Sequence, residues 1–419
     1  MDNKYNKMED KPFEIPLNKI TKYMTYICIF YLFFWKYAFD ERRIILYGTA
    51  GLATLCMIID LLISRRDILA EFPWGVLLNP VMCVYSIITG IFIARNEVLL
   101  ISAVKTYAAF SLVTMAIAYV TKKENSLDWF IDAIIIIDII SSIYVIANGT
   151  FFKGYGYILG PEQNPNNLGL AMNLGLFCVA FRARKDSKNV VISCMIALLF
   201  LYTIIECGSR KNLIASMIIC VLWLIPLYVD AWKKGDWRER ILLIIVIGIA
   251  TFLVVYYYNN YYVDTYIYNR MERLGAHDEN SSASRIQYYK YAIEFFLERP
   301  VFGIGLIQYQ VWNPLHHAYA HSTYAEALAD WGIVGCTIYF MPAFCAGFKL
   351  MTRRHHDKER HAANVVFALW AAEIFLGIGQ IWFYEIEHMI AWTVIYSYLQ
   401  MTENAQLSEI GRKFKYVKA

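Results

Sequence analysis

The chain has 419 residues, of which 58% are hydrophobic and only 18% charged. A soluble fold of that length carries roughly a quarter charged residues to cover its surface, so the composition excludes an ordinary soluble protein and gives an integral membrane one. The formal net charge of +4 is too small to point to a nucleic-acid partner.

Taken in chain order, Met1–Lys22 is polar, bears five Lys and has no small-residue cleavage site, so it reads as a cytoplasmic tail rather than a signal peptide. Crossing a bilayer takes about 20 mostly apolar residues. Twelve runs are candidates: Tyr23–Phe39, Ile44–Ile63, Trp74–Ala94, Val98–Val120, Trp129–Ala147, Leu168–Phe181, Val190–Glu206, Leu213–Val229, Ile241–Tyr258, Thr323–Leu350, Ala362–Ile381 and Ile386–Met401. The sixth is short. Lys105, Asp138 and Glu373 fall inside runs, where a charge is costly and tends to face a cavity. The nine Cys form no CxxC pair and lie mostly within the apolar runs, as small buried hydrophobes do.

Twelve spans place both termini on one side. Of the 39 Lys and Arg, 26 fall on that side and 12 on the other, with Lys105 within a span. Positive residues mark the cytoplasm, so both termini are predicted to be cytoplasmic. The expected fold is therefore all-α: a polytopic membrane protein with about 12 transmembrane helices, forming one integral membrane domain over residues 1–419. The halves show no internal repeat, which disfavours a transporter built from duplicated bundles.

Three outward segments follow from this topology. The first is Asn148–Asn167, with Asn164-Pro165-Asn166-Asn167 at its end. The second is the turn Cys207-Gly208-Ser209-Arg210-Lys211-Asn212. The third is the longest, residues 259–322, and loops of that length usually carry function. Within it Ser284 is an N-cap candidate, and Arg285 is predicted to open a helix with Ile286, Tyr289, Ile293, Phe296 and Leu297 on one face. Pro300 ends that helix. His316, His317 and His321 come next, and Thr323 and Glu326 have capping-box spacing at the head of the tenth span. His317 and His321 have no carboxylate nearby but Glu326, so neither a metal nor any other cofactor is expected.

Arg210, Arg285 and His321 are thus all expected at helix N-termini. Such termini present free N–H groups and partial positive charge, and Arg adds a planar fork suited to phosphate oxygens. The pattern suits an anion at the outer membrane boundary. A lipid diphosphate fits, its charged head at that depth and its tail in the bilayer.

The C-terminal half resembles the O-antigen ligase and polymerase superfamily, the Wzy/WaaL-like membrane glycosyltransferases. The residues that carry the resemblance are Ser284-Arg285, Pro300-Val301-Phe302-Gly303-Ile304-Gly305, and His321-Ser322-Thr323-Tyr324 running on to Gly332-Ile333-Val334-Gly335. Gly208-Ser209-Arg210 matches the family's Arg at an outer helix start, and Asn164-Pro165-Asn166-Asn167 its Asn-rich opening of a span. Spacing to the glycine pair selects His321 over His316 and His317, and Ser322 stands where the family commonly has Asn. The resemblance covers roughly Gly160 to Gly335.

What the resemblance implies is a GT-C-like polysaccharide polymerase in the cytoplasmic membrane, with residues 259–322 as an extracytoplasmic catalytic loop. It would transfer glycan from an undecaprenyl-diphosphate-linked donor to a lipid-linked acceptor without metal. His321 would be the general base, with Arg210 and Arg285 on the diphosphate. Asn164, Asn166, Lys211, Tyr319, Glu326 and Glu385 are the candidate substrate-binding residues. Glu387 and His388, beside Glu385, are candidates to orient His321. The partners implied are the two lipid-linked oligosaccharides, the bilayer, a flippase and a chain-length regulator. The nearest alternative is a ligase moving finished glycan to lipid A core or protein. A lipid-linked oligosaccharide flippase is the alternative of a different class, and it predicts repeated halves and a charged central cavity.

Overall fold

A computed structural model of the chain describes residues 16–35, 43–65, 67–147, 165–183, 187–234, 279–315, 318–353 and 360–417, with isolated positions between 237 and 248. The protein is an all-α polytopic membrane protein. In chain order its helices are α1 (Leu17–Phe30, continuing as a π-turn over Tyr31–Trp35), α2 (Arg43–Ile63), α3 (Ile68–Glu71), α4 (Trp74–Ile93), α5 (Glu97–Glu124), α6 (Asp128–Ala147), α7 (Pro165–Arg182), α8 (Ser187–Glu206), α9 (Arg210–Lys234), α10 (Glu279–Glu298), α11 (Gln308–Trp312), α12 (Thr323–Arg353), α13 (Arg360–Leu376) and α14 (Ile386–Val417). Helices are the natural choice in lipid, because each one satisfies its own backbone hydrogen bonds.

Every apolar run read from the sequence overlaps a helix among the described residues except Ile241–Tyr258, which lies mostly outside them, as do positions 36–39 of the first run. Among the described residues, six helices are long and apolar enough to cross a membrane: Ile44–Ile63, Trp74–Ile93, Glu97–Glu124, Asp128–Ala147, Arg210–Val229 and Thr323–Arg353. The other runs are shorter or more polar. Helix α13 has only 17 residues and buries Asn364 and Glu373. Helix α14 buries Glu387 and His388 in its first turn.

Helix ends follow local chemistry. Asn96 accepts the Leu99 N–H at 3.0 Å and caps α5, and Asn125 ends that helix in the left-handed region at φ 47°. The turn between α8 and α9 reverses at Gly208, φ 67°. Helix α13 packs against α7, α9 and α12, while α14 packs against α4, α5 and α13. Close approaches use small residues: a Cβ on Gly169 would lie 2.6 Å from Asn212 Nδ2, and one on Gly347 2.3 Å from the Trp370 ring. All nine Cys are free thiols, seven of them buried.

Of the charges inside the predicted spans, Lys105 is exposed on α5. Asp138 is buried on α6, with neither carboxylate oxygen hydrogen-bonded among the described residues. Glu373 is buried and paired with His388, as described below.

Candidate active site

The site is built on a break in α12. Gly332 has φ 61° and ψ −169°, which no helix accommodates, so the backbone partners of the flanking turns are lost. The segment Pro300–Gly305 replaces them. Ile333 N–H donates to Pro300 O at 2.8 Å and Val334 N–H to Val301 O at 3.2 Å. On the other side of the break, Ile304 N–H donates to Ala329 O at 2.9 Å and Gly305 N–H to Asp330 O at 2.8 Å. The exchange needs glycine on both chains. A Cβ on Gly303 would sit 2.4 Å from Asp330 C, and one on Gly332 2.6 Å from Val301 C. Tyr85 closes the arrangement by donating its hydroxyl to Trp331 O at 2.7 Å.

Asp330 anchors the next turn. Its carboxylate accepts Ile307 N–H at 2.6 Å and Tyr309 N–H at 2.8 Å, which fixes the start of α11. Gln308, beside it, accepts Arg95 N–H and Asn96 N–H at 3.0 and 3.1 Å and so ties α11 to the turn between α4 and α5. Asp330 is therefore fully buried in a backbone-binding role.

Above this scaffold lies His321, half-buried and in the left-handed region at φ 55°. Its ring stacks on Tyr288 of α10, with centroids 5.8 Å apart and planes at 27°, and lies 4.1 Å from the Tyr319 ring. Burial, then Arg285, then Lys211 push the imidazole down to about 4, so both cations lie close enough to be felt. Tyr319 belongs to the same cluster. Burial and the nearby Glu385 and Glu326 raise its hydroxyl, against the opposing field of Arg285.

Glu326 is completely buried. Its carboxylate accepts the Ala320 N–H at 2.6 Å and the Tyr384 hydroxyl. It therefore fixes the residue next to His321 and does not line an open cavity. The expected capping box is not formed. Thr323 donates its hydroxyl to Gln380 O at 2.6 Å and accepts Trp382 N–H at 3.0 Å, and it is Ser322 whose hydroxyl faces Ala325 N–H at 3.5 Å.

The other candidates separate into groups. Arg210 is the first residue of α9, as expected, and its neighbour Lys211 reaches the loop after α13, donating to Gly379 O at 2.7 Å. Asn166 accepts the Ser209 hydroxyl at 2.9 Å and, through its carbonyl, Asn212 Nδ2 at 2.8 Å, so it braces the start of α9. Asn167, not singled out from sequence, donates to Glu385 at 3.2 Å. Asn164, His316 and His317 lie outside the described residues. Arg285 does not open a helix: α10 begins six residues earlier at Glu279, and Arg285 lies in its second turn, exposed. The predicted apolar face of α10 is also not the packed one, because Tyr288, Ala292 and Phe295 form the core there.

Glu387 and His388 prove to be buried. His388 bonds Glu373 at 2.5 Å through Nδ1 and Gln380 at 2.8 Å through Nε2, which orients the loop that receives Thr323 rather than His321 itself. Tyr288, Tyr384 and Gln380 were not legible as site residues. Each reaches the site from another element, across a sequence separation that no local pattern spans. Among the described residues, no group of three or more His, Cys, Asp or Glu side chains is placed to hold a metal ion.

In a comparison with known families, residues 195–340 fit the family described as O-Antigen ligase. The match supports the O-antigen ligase and polymerase superfamily and runs from within α8 through α9, α10 and the break in α12. No curated protein matches the chain.

Proposed function

Starting from that superfamily, which comprises membrane glycosyltransferase-like enzymes acting on lipid-linked oligosaccharides, we propose that the protein is a polysaccharide polymerase. It joins undecaprenyl-diphosphate-linked repeat units on the extracytoplasmic side of the cytoplasmic membrane. The observation that carries the reading is the surroundings of His321: an imidazole flanked by two tyrosine rings, with Arg285 and Lys211 near enough to lower its proton affinity. A neutral imidazole beside two cations suits a base that works next to an anion.

In this mechanism the acceptor sugar hydroxyl gives its proton to His321 as its oxygen attacks the anomeric carbon of the donor. The bond from that carbon to the diphosphate oxygen breaks, and its electron pair leaves with the diphosphate. Arg285 and Lys211, with Arg210 at the start of α9, stabilise the charge that develops there. Direct displacement inverts the anomeric centre. In this reading Glu385, which is felt by Tyr319 and accepts from Asn167, meets sugar hydroxyls. A flippase supplies the substrate and a chain-length regulator limits the product.

The test uses Arg210→Ala, Arg285→Ala and His321→Ala in membranes supplied with lipid-linked repeats. Each variant is expected to be present at the normal level, to lose polymer and to accumulate single repeats. Full-length polymer from all three would sink the reading. The name of the matched family favours a second reading, a ligase. Transfer of preformed glycan to an acceptor not linked to polyprenol, with no extension of the chain, selects it.

A further inference from the structure

Helix α10 has three sides. Tyr288, Ala292 and Phe295 form a small core with Ile304, Tyr309, Ala320 and Ala329. Lys290, Glu294 and Glu298 form an exposed polar edge. On the third side Ile286, Ile293 and Leu297, spaced seven and four residues apart, are 57%, 57% and 67% exposed. The row continues beyond the helix through Val301 and Phe302 to Ile333 on α12, each about half exposed. A contiguous exposed apolar strip of this kind marks a contact surface, unlike scattered single residues.

The break in α12 gives the depth of the strip. Pro300 and Val301 are bonded to Ile333 and Val334, so the lower end of α10 is held at the level of Gly332. Gly332 is nine residues past Thr323, about 14 Å down the helix at 1.5 Å per residue. Helix α12 is itself a candidate span, and below the break its exposed side bears Met341, Phe344 and Phe348. Counting about 20 residues up from Lys349, the first charge below the break, reaches Asp330. The break then lies just inside the hydrocarbon boundary. Tyr288, twelve residues above Pro300, stacks on His321 above the head of α12, so α10 descends alongside that helix.

We propose that the lower end of α10 and the turn after it are seated in the leaflet nearer His321, rather than standing clear of the bilayer as part of an aqueous cap. Val301, Phe302 and Ile333 lie in hydrocarbon, continuous with the lipid-facing side of α12, with Leu297 at its boundary and Ile293 at the interface above them. Lys290, ten residues and about 15 Å above Pro300, comes within reach of the headgroups on its long stem. The occupant of the strip is lipid. The inference rests on geometry alone and does not require the proposed reaction.

The test places nitroxide labels at Leu297→Cys, Phe302→Cys and Glu294→Cys in the full chain, with the exposed Cys345 and half-buried Cys220 replaced by Ser, in lipid nanodiscs. Oxygen partitions into lipid and a water-soluble nickel chelate into water. Labels at 297 and 302 are expected to be relaxed several-fold more by oxygen than by nickel, and the label at 294 the reverse. Either lipid-side position reports by itself. Nickel reaching 297 and 302 as freely as 294 overturns the proposal in favour of an aqueous cap. Neither reagent reaching them overturns it in favour of a protein partner or a second copy.

Discussion

The imidazole of His321 carries the most chemistry of any single group in the site. With its pKa pushed down to about 4 by burial, Arg285 and Lys211, it is neutral across the physiological range. In the proposed reaction kcat/KM should therefore hold down to about pH 5 and halve near pH 4. The acid limb of kcat should lie higher, because a bound diphosphate offsets the two cations. Arg285→Ala should move the free-enzyme limb up toward the ordinary imidazole value of about 6.5; pH–rate profiles of both proteins check this. The same shift has a stability consequence of definite sign. As pH falls from about 6.5 toward 4, the unfolded chain takes up a proton that the folded one refuses, so stability declines through that window. His321→Gln should flatten that part of the curve of unfolding against pH. Beside it, Glu326→Ala leaves the Ala320 N–H and the Tyr384 hydroxyl without their acceptor. Each buried group so left costs roughly 1–3 kcal/mol. We expect a lower unfolding temperature, and a fall in kcat of at least about tenfold as the strained His321 backbone loses its anchor. Glu326→Gln, which keeps an acceptor, should recover most of both.

At the scale of elements, the discontinuous α12 and the segment 300–305 form one unit through four backbone hydrogen bonds. Gly303→Ala and Gly332→Ala should each destabilise by about 2 kcal/mol or more, since positive φ costs of order 1–3 kcal/mol and the new methyl also meets backbone. Asp330→Asn should do likewise, because an amide NH2 would then face one of two N–H donors. Thermal unfolding in detergent measures all three. The sequence motif P-x-x-G-x-G and the later G-x-x-G were visible from the start, but not that they are partners. The pairing lies across about 30 residues, and neither strand propensity nor helical periodicity encodes it. Helix α10 teaches a related lesson. Its packed row of Tyr288, Ala292 and Phe295 and its exposed row of Ile286, Ile293 and Leu297 both fit the helical period. Where lipid replaces water outside, the outer face is as apolar as the inner, and periodicity no longer says which one packs.

For the molecule as a whole, length and apolarity alone made the helices legible, because hydrocarbon thickness fixes both. Side-chain roles were less so. Arg210 and Lys211 are adjacent, about 100° apart around α9, and only the packed bundle shows that Lys211 is tethered to the loop after α13 and felt by His321. That loop depends on a buried polar set: Glu373, His388 and Gln380 bridge α13 and α14, and Gln380 in turn receives Thr323 of α12. Removing one member leaves a charge or dipole uncompensated in the interior. His388→Ala should cost about 3–5 kcal/mol, read as lost yield of folded protein and a lower unfolding temperature.

The break at Gly332 also bears on biogenesis. During synthesis residues 300–305 leave the ribosome before the second half of α12 does, so the partners of Ala329, Asp330, Ile333 and Val334 exist when that helix enters the bilayer. In the reverse order, four backbone groups would meet lipid unpaired, at several kcal/mol each. Chain direction is thus part of how this helix can be discontinuous at all. A circularly permuted chain that made α12 first would have to insert it without its complement.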